Sequence, residues 1–360
     1  MHMADALISP IVGGTMWIAT VAVAAYSVKK VENEMDEKKI PLMGVLGAFV
    51  FAAQMINFSI PGTGSSGHLG GGLLLAILLG PYAGFLTMTS ILTIQALFFA
   101  DGGLLSLGCN IINLGFYTCF IAYPLIYKRI ISRGYSKKRI FTASMITSII
   151  GLQLGAFSVV METVLSGKTE LPFSTFVLLM QPIHLGIGIV EGLVVTAIVS
   201  FVWKSRPEII ENATLGKPLG NISTRKVIVS LVIMAILAGG VLSLFASTNP
   251  DGLEWSMFKT SGKGKLQASD SIHKIFGEIQ AKTAFLPGYN IKAKETVNTE
   301  KSVNTEKTKT KEEALPSVSG GRSLSGVIGG GLTLILASII GFALRMFKKK
   351  NKVNVQLRRR

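Results

Sequence analysis

The sequence is short of the residues that carry most enzyme chemistry. It has two cysteines, Cys109 and Cys119, both in an apolar stretch, so neither a disulfide framework nor a cysteine zinc site is indicated. Four histidines are spread over 360 residues. None falls in an H-E-x-x-H pattern, which leaves an intramembrane zinc protease without an anchor. No spacing suggests a Ser/His/Asp set. Charge is scarce too: 16% of residues are charged, where a soluble domain carries about 25%. No basic segment precedes the first apolar run, so no cleavable secretory signal is expected. Two motifs are apparent only. Gly62-Thr63-Gly64-Ser65-Ser66-Gly67 spells G-x-G-x-x-G, but apolar runs flank it where a dinucleotide site needs a strand and a helix. Ser166-Gly167-Lys168-Thr169 resembles the end of a P-loop, yet position 162, where that loop requires glycine, is Glu. The chain is therefore expected not to be an enzyme and to hold no cofactor. Any ATP-driven step would belong to another chain.

What the sequence has is hydrophobicity in long blocks. Apolar residues make up 49% of the chain, and mean hydropathy is +0.50. The formal charge of +16 does not point to nucleic acid, because the basic residues cluster at the ends of apolar runs. That is the pattern of a polytopic helical membrane protein, in which a span takes about 20 residues. Runs at about 10–28, 41–60, 69–86, 87–100, 104–127, 140–165 and 175–203 predict seven spans, with Gly80-Pro81 breaking the third from the fourth. A polar stretch, 204–225, reads as a cytoplasmic linker. Two further spans, at about 226–246 and 325–346, enclose the polar loop 247–324. Residues 347–360 form a basic tail. The chain is thus read as an all-α integral membrane protein: a seven-span module over 1–203 and a two-span module over 226–346. The Lys/Glu/Thr repetition at 291–315 has too few apolar residues for a core and is expected to be disordered or extended. The first lysines, Lys29 and Lys30, follow the first run. The positive-inside rule then places the N-terminus outside the cell and the loops with Lys29–Lys39, Arg129–Arg139 and Lys204–Arg225 in the cytoplasm.

Two stretches suggest a ligand. The chain begins Met1-His2-Met3-Ala4-Asp5, and His68 sits in the run Ser66-Gly67-His68-Leu69-Gly70-Gly71-Gly72. The α-amine of Met1, the deprotonated amide nitrogen of His2 and its ring can chelate a metal ion. A nitrogen from His68 would complete a square, which suits Ni(II) or Cu(II) and is poor for Zn, Mg or Ca. His2 is too large to permit removal of the initiator methionine, so Met1 is expected to remain. The glycines around His68 let a loop fold tightly and bring its ring close to other backbone. His184 and Glu191 lie in one apolar run, two helical turns apart and so on one face. Ionisable groups in a membrane helix usually face the bundle interior, which makes this pair a candidate for a polar seam in a pathway or for buried packing. The amides Gln54, Asn57, Gln95, Asn110, Asn113, Gln153 and Gln181 lie in or near spans. They are candidates for interhelical hydrogen bonds or for orienting ligating histidines, with Gln54, Asn57 and Asn110 foremost.

Met1-His2-Met3-Ala4-Asp5, Phe51-Ala52-Ala53-Gln54-Met55-Ile56-Asn57-Phe58, Ser66-Gly67-His68-Leu69-Gly70-Gly71, Leu79-Gly80-Pro81 and Gln95-Ala96-Leu97-Phe98-Phe99-Ala100-Asp101-Gly102-Gly103 resemble the cobalt/nickel substrate-binding M component of energy-coupling-factor transporters. Leu107-Gly108-Cys109-Asn110 and Glu191-Gly192-Leu193 extend the resemblance. Pro250-Asp251-Gly252-Leu253-Glu254-Trp255, with Phe285-Leu286-Pro287-Gly288-Tyr289 after it, resembles the small N component, so the chain looks like an M–N fusion. Where that family has Pro-Asp-Tyr, this chain has Pro287-Gly288-Tyr289. The resemblance implies a receptor for Ni(II) or Co(II) in a prokaryotic cell membrane. It would work with a transmembrane coupling subunit and cytoplasmic ATPases, and would supply cobalt for cobalamin synthesis or nickel for metalloenzymes. It also implies that Met1, His2 and His68 are the ligands. A passive metal channel or exchanger and a membrane metal sensor are the competing readings.

Overall fold

The computed structural model describes residues 2–31, 35–263, 266–268, 270–290 and 320–357, with side chains as far as Met346. Met1, the repetition at 291–315 and Arg358–Arg360 lie outside the described residues. Helices dominate: α1 Pro10–Val31, α2 Lys39–Gln54, α3 Gly72–Leu79, α4 Pro81–Phe99, α5 Leu107–Ile131, α6 Lys137–Leu165, α7 Phe173–Ser205, α8 Pro207–Leu215, α9 Arg225–Phe245, α10 Gly252–Ser261, α11 Ser271–Thr283 and α12 Gly320–Leu357. Seven of them, α1, α4, α5, α6, α7, α9 and α12, are long and apolar enough to cross a membrane. The chain is a multi-pass membrane protein. Isoleucines and leucines at Ile11, Ile18, Leu178, Leu193, Ile233 and Ile339 remain exposed along these helices, as lipid-facing residues must.

Several boundaries differ from the sequence reading. The third and fourth runs do not divide at 86/87. Gly80, at φ 84°, ends α3, and Pro81 opens α4 at its first turn, where a missing N–H costs nothing. α3 is therefore a half-length helix, and α4 doubles back on it so closely that a Cβ on Gly84 would stand 2.9 Å from the Ala76 nitrogen. Residues 55–60 do not extend the second span. Phe58–Ile60 (β1) pairs antiparallel with Ser65–Gly67 (β2), with Phe58 opposite Gly67, so the glycine-rich run is the turn and return of a hairpin. The stretch read as a linker holds α8, which buries Ile209, Ile210 and Ala213. Within the loop 247–324, α10 and α11 form. α12 starts at Gly320 rather than near 325.

The two modules pack as one body. α12 lies along α2, where a Cβ on Gly47 would stand 3.1 Å from Thr333 Cγ2. The basic loops gather at one end of the bundle. Lys128 Nζ donates to Thr214 O at 2.9 Å, the Gly220 N–H donates to Asp36 at 2.8 Å, and Arg345 pairs with Glu37. The other end collects the N-terminal segment, the β1–β2 hairpin, the turn after α4, and α10 and α11.

Candidate metal centre

The N-terminal segment is docked by its backbone. The Met3 N–H donates to Asn110 Oδ1 at 2.7 Å, and Asn110 Nδ2 donates back to Met3 O at 3.2 Å. The Gly103 N–H also donates to Met3 O, at 2.9 Å, and Asp5 Oδ1 accepts from the Ser106 N–H at 2.9 Å. Met3 is fully buried. Asn110 is thus an anchor for the chain beside His2. Gly103 is required by close approach: a Cβ there would stand 1.8 Å from Asp5 Oδ1.

Docking brings His2 and His68 together. Their rings stack with centroids 4.9 Å apart and planes inclined 26°. The tautomer of each is set by its partner. His68 Nδ1 lies 3.0 Å from Leu69 O; a carbonyl only accepts, so Nδ1 carries the proton and Nε2 keeps its lone pair. That Nε2 is buried with no hydrogen-bond partner among the described residues. For His2 the polarity travels through two amides. Gln54 Nε2 donates to Gly70 O at 2.8 Å, which leaves Gln54 Oε1 to accept from Gln95 Nε2 at 2.8 Å. Gln95 therefore turns its oxygen to His2 Nε2, 3.0 Å away. His2 must donate from Nε2, so its lone pair is on Nδ1, the nitrogen on the same side of the ring as its own backbone amide.

Glu191 and His184 act from below this pair. The Glu191 carboxylate accepts the N–H groups of Gly70 and Gly71 at 2.7 and 3.1 Å, fixing the loop that carries His68. His184 Nδ1 donates to Met180 O at 2.8 Å, and its ring lines a small pocket with His68. Asn57 takes its place through its backbone carbonyl, which accepts the Ser247 N–H at 2.8 Å, and it lines the chamber described next.

His2 and His68 open on a chamber of about 610 Å³, whose walls include Gln54, Asn57, Asp101, Asp251 and Tyr289. The C-terminal module supplies much of this wall; the sequence places the loop with Pro250–Trp255 near the glycine-rich mouth but does not single out Asp101 or Tyr289. The Ser66 N–H donates to Pro250 O at 2.8 Å and forms a parallel bridge toward Asp251. Asp251 also caps α10, accepting the Glu254 N–H at 2.7 Å. Tyr289 stacks on Phe99 at 5.1 Å and its hydroxyl donates to Asp101. Gln280, on α11, donates to Ala96 O at 2.9 Å and Gly102 O at 2.7 Å. His273, on the same helix, reaches Asp5 O at 2.9 Å. The one cue in the sequence was the Pro-Asp-Gly-Leu-Glu run itself.

Electrostatics keep both imidazoles uncharged. Burial first, then the positive charge of the amino terminus, depress the pKa values of His2 and His68 to about 3, so both rings are neutral at physiological pH. Burial opposes the Asp251 charge, but the amino terminus and the Glu254 N–H outweigh it and hold its pKa low. Asp101 is raised by burial, against the opposing hydrogen bond from Tyr289. Among the described residues, no three His, Cys, Asp or Glu side chains converge as a metal site. Only two imidazoles meet, and backbone nitrogens must supply the rest of any nitrogen square.

The fold and the site define a class: a polytopic helical membrane protein that presents a docked N-terminal histidine and a loop histidine on a chamber at one end. Residues 2–209 match the CbiM family, described as the cobalt uptake substrate-specific transmembrane region, and residues 225–346 match the PDGLE domain. The chain belongs to the CbiM family and fuses the M and N components in one polypeptide. It is 33% identical to a candidate metal transport protein of Haloquadratum walsbyi, over 60% of this chain and 97% of the relative. It is 36% identical to a candidate fused nickel transport protein, NikMN, of Archaeoglobus fulgidus, over 59% of this chain and 68% of the relative. A solved transition metal transporter, in truncated form, superposes with a TM-score of 0.51 at 30% identity, covering 57% of this chain and 99% of its own.

Proposed function

We propose that this chain captures Ni(II) or Co(II) outside the cell and passes it into an ATP-driven energy-coupling-factor complex. The observation that carries the reading is the polarity of the amide chain from Gly70 O through Gln54 and Gln95 to His2. It fixes the His2 lone pair on Nδ1, where ring and backbone amide nitrogen can hold one ion together. His68 Nε2 offers a second imidazole lone pair beside it, and the α-amine of Met1 completes the set. Four nitrogens in a plane favour Ni(II) over Co(II). Asp101 and Asp251 line the chamber and draw a divalent cation toward the neutral rings. ATP hydrolysis belongs to partner ATPases, working through a membrane coupling subunit, because this chain has no P-loop. The N-terminus faces outward, and the basic loops face the cytoplasm.

Isothermal titration of Ni(II) into two tagged forms tests the ligand set. A single residue added before Met1 converts the amine to an amide and should cost at least the roughly 10–100-fold associated with losing even a supporting contact. A tag after Arg360 should leave affinity unchanged. Equal affinities would mean that the terminus only plugs the chamber. Uptake that persists without partner ATPases would instead favour a passive channel, and binding without any uptake a sensor.

A further inference from the structure

His184 takes no part in docking the N-terminus, yet it has the geometry of a ligand. It lies on α7, 1% exposed. Its Nδ1 donates to Met180 O, so Nε2 keeps a lone pair, and that Nε2 is buried with no hydrogen-bond partner among the described residues. A buried, unsatisfied acceptor is costly to keep in a core; a leucine would fill the same space without that cost. His68 is prepared in the same way, with Nδ1 tied to a carbonyl and Nε2 unpartnered.

The two residues line one small pocket of about 10 Å³, together with Asp251. That is room for a single water or ion. His68 and Asp251 line the large chamber as well, so these two residues are shared by the two spaces. The His184 ring edge is turned to the start of α10, where a Cβ on Gly252 would stand 3.5 Å from its Cε1. Leu114, Leu152 and Ile187 complete the pocket with apolar side chains.

We propose that His184 is a metal ligand: its Nε2 receives the ion passed from the chamber across His68, forming an inner station on the transport route. The proposal rests on the reading of the chain as a metal receptor. The transfer is ligand exchange with no change of oxidation state. The ion leaves the nitrogens of His2 and the amine while His68 is shared, and the His2 amide nitrogen and the α-amine regain their protons from solvent. The protons on both Nδ1 atoms stay in place. Two imidazole donors make a low-coordinate site suited to transit rather than storage.

The test compares equilibrium binding by the purified chain with uptake of radioactive nickel by the complete transporter in proteoliposomes. For His184→Ala, Ni(II) affinity should stay within about threefold of the parent while uptake falls at least about tenfold, a ligand's loss weighing at least as much as that of a supporting group. His184→Leu, which keeps the volume and apolar packing, should be equally impaired in uptake. His184→Cys, which restores a donor, should recover part of it. Wild-type uptake by His184→Leu would reduce His184 to packing and overturn the proposal. Loss of equilibrium binding in a folded His184→Ala protein, matching His68→Ala, would overturn it too, by placing His184 in the loading site. Absence of Ni(II) and Co(II) binding by the unsubstituted chain would instead remove the receptor reading beneath it.

Discussion

Gln95 Oε1 stands 3.0 Å from His2 Nε2, and the direction of that hydrogen bond is decided by a backbone carbonyl in another loop. Because Gln95 donates to Gln54 and Gln54 donates to Gly70 O, an acceptor must face His2. The loop that presents His68 thereby selects the tautomer of the other histidine.

Breaking this amide chain should weaken metal binding without unfolding the protein. Gln95→Leu removes both hydrogen bonds and is expected to cost about 10–100-fold in Ni(II) affinity. Gln95→Glu still accepts from His2 but cannot donate to Gln54, so its loss should be smaller. Titration calorimetry of the two variants checks the order; a Glu variant weaker than the Leu variant contradicts it.

Proton release on binding should be low for a site with two histidines. With pKa values near 3, both rings are already unprotonated in mild acid. Between about pH 5 and 6, only the α-amine, with an ordinary pKa near 7.7–8.0, and the His2 amide should lose protons to the metal. Calorimetry in buffers of different ionisation enthalpy should give about two protons per ion; about four would mean that the rings titrate at ordinary values. The same shifts govern stability of the metal-free chain. The unfolded histidines take up protons near pH 6.5 while the folded ones resist to about 3, so the unfolded state binds more protons over that window. The stabilising contribution is complete above about pH 6.5 and is lost progressively toward about pH 3. Thermal unfolding in detergent from neutral pH downward follows it.

Gly103→Ala should undock the N-terminus. The new Cβ would meet Asp5 Oδ1 at 1.8 Å and the Asp5 backbone nitrogen at 2.5 Å, and backbone cannot yield as a flexible side chain can. Affinity should fall more than about tenfold, as for loss of a ligand-positioning group, with helix content kept. Gly14→Ala, in α1, meets nothing within 4 Å and serves as the neutral control. Equal affinity of the two variants would show that the segment binds without this dock.

Orientation can be read by cysteine labelling, since Cys109 and Cys119 are both buried. With an impermeant maleimide on intact cells, Lys259→Cys on α10 should react and Lys138→Cys on α6 should not; permeabilised cells should label both. Labelling of Lys138→Cys alone on intact cells reverses the topology.

The sequence by itself determined the membrane class, most of the helix-forming runs and the break around Gly80-Pro81, and it singled out His2 and His68, whose rings the fold stacks together. These are local signals: apolar length, the missing N–H of proline, glycine where φ must be positive, and two histidines in unusual settings. It also placed His184 and Glu191 on one buried face, because helical periodicity needs nothing beyond the chain itself. Only the tertiary structure decided which polar side chain does what. Asn110 holds Met3, Gln54 and Gln95 polarise His2, and Glu191 clamps Gly70 and Gly71, although all four look alike as polar residues in apolar surroundings. Nor could any local pattern bring Asp251 and Tyr289 to a chamber built by residues some 180 positions earlier. A hydrogen bond's direction depends on what its partner is already bonded to, and a wall depends on which distant backbone approaches. Both are properties of packing in three dimensions, which the order of residues along one segment does not carry.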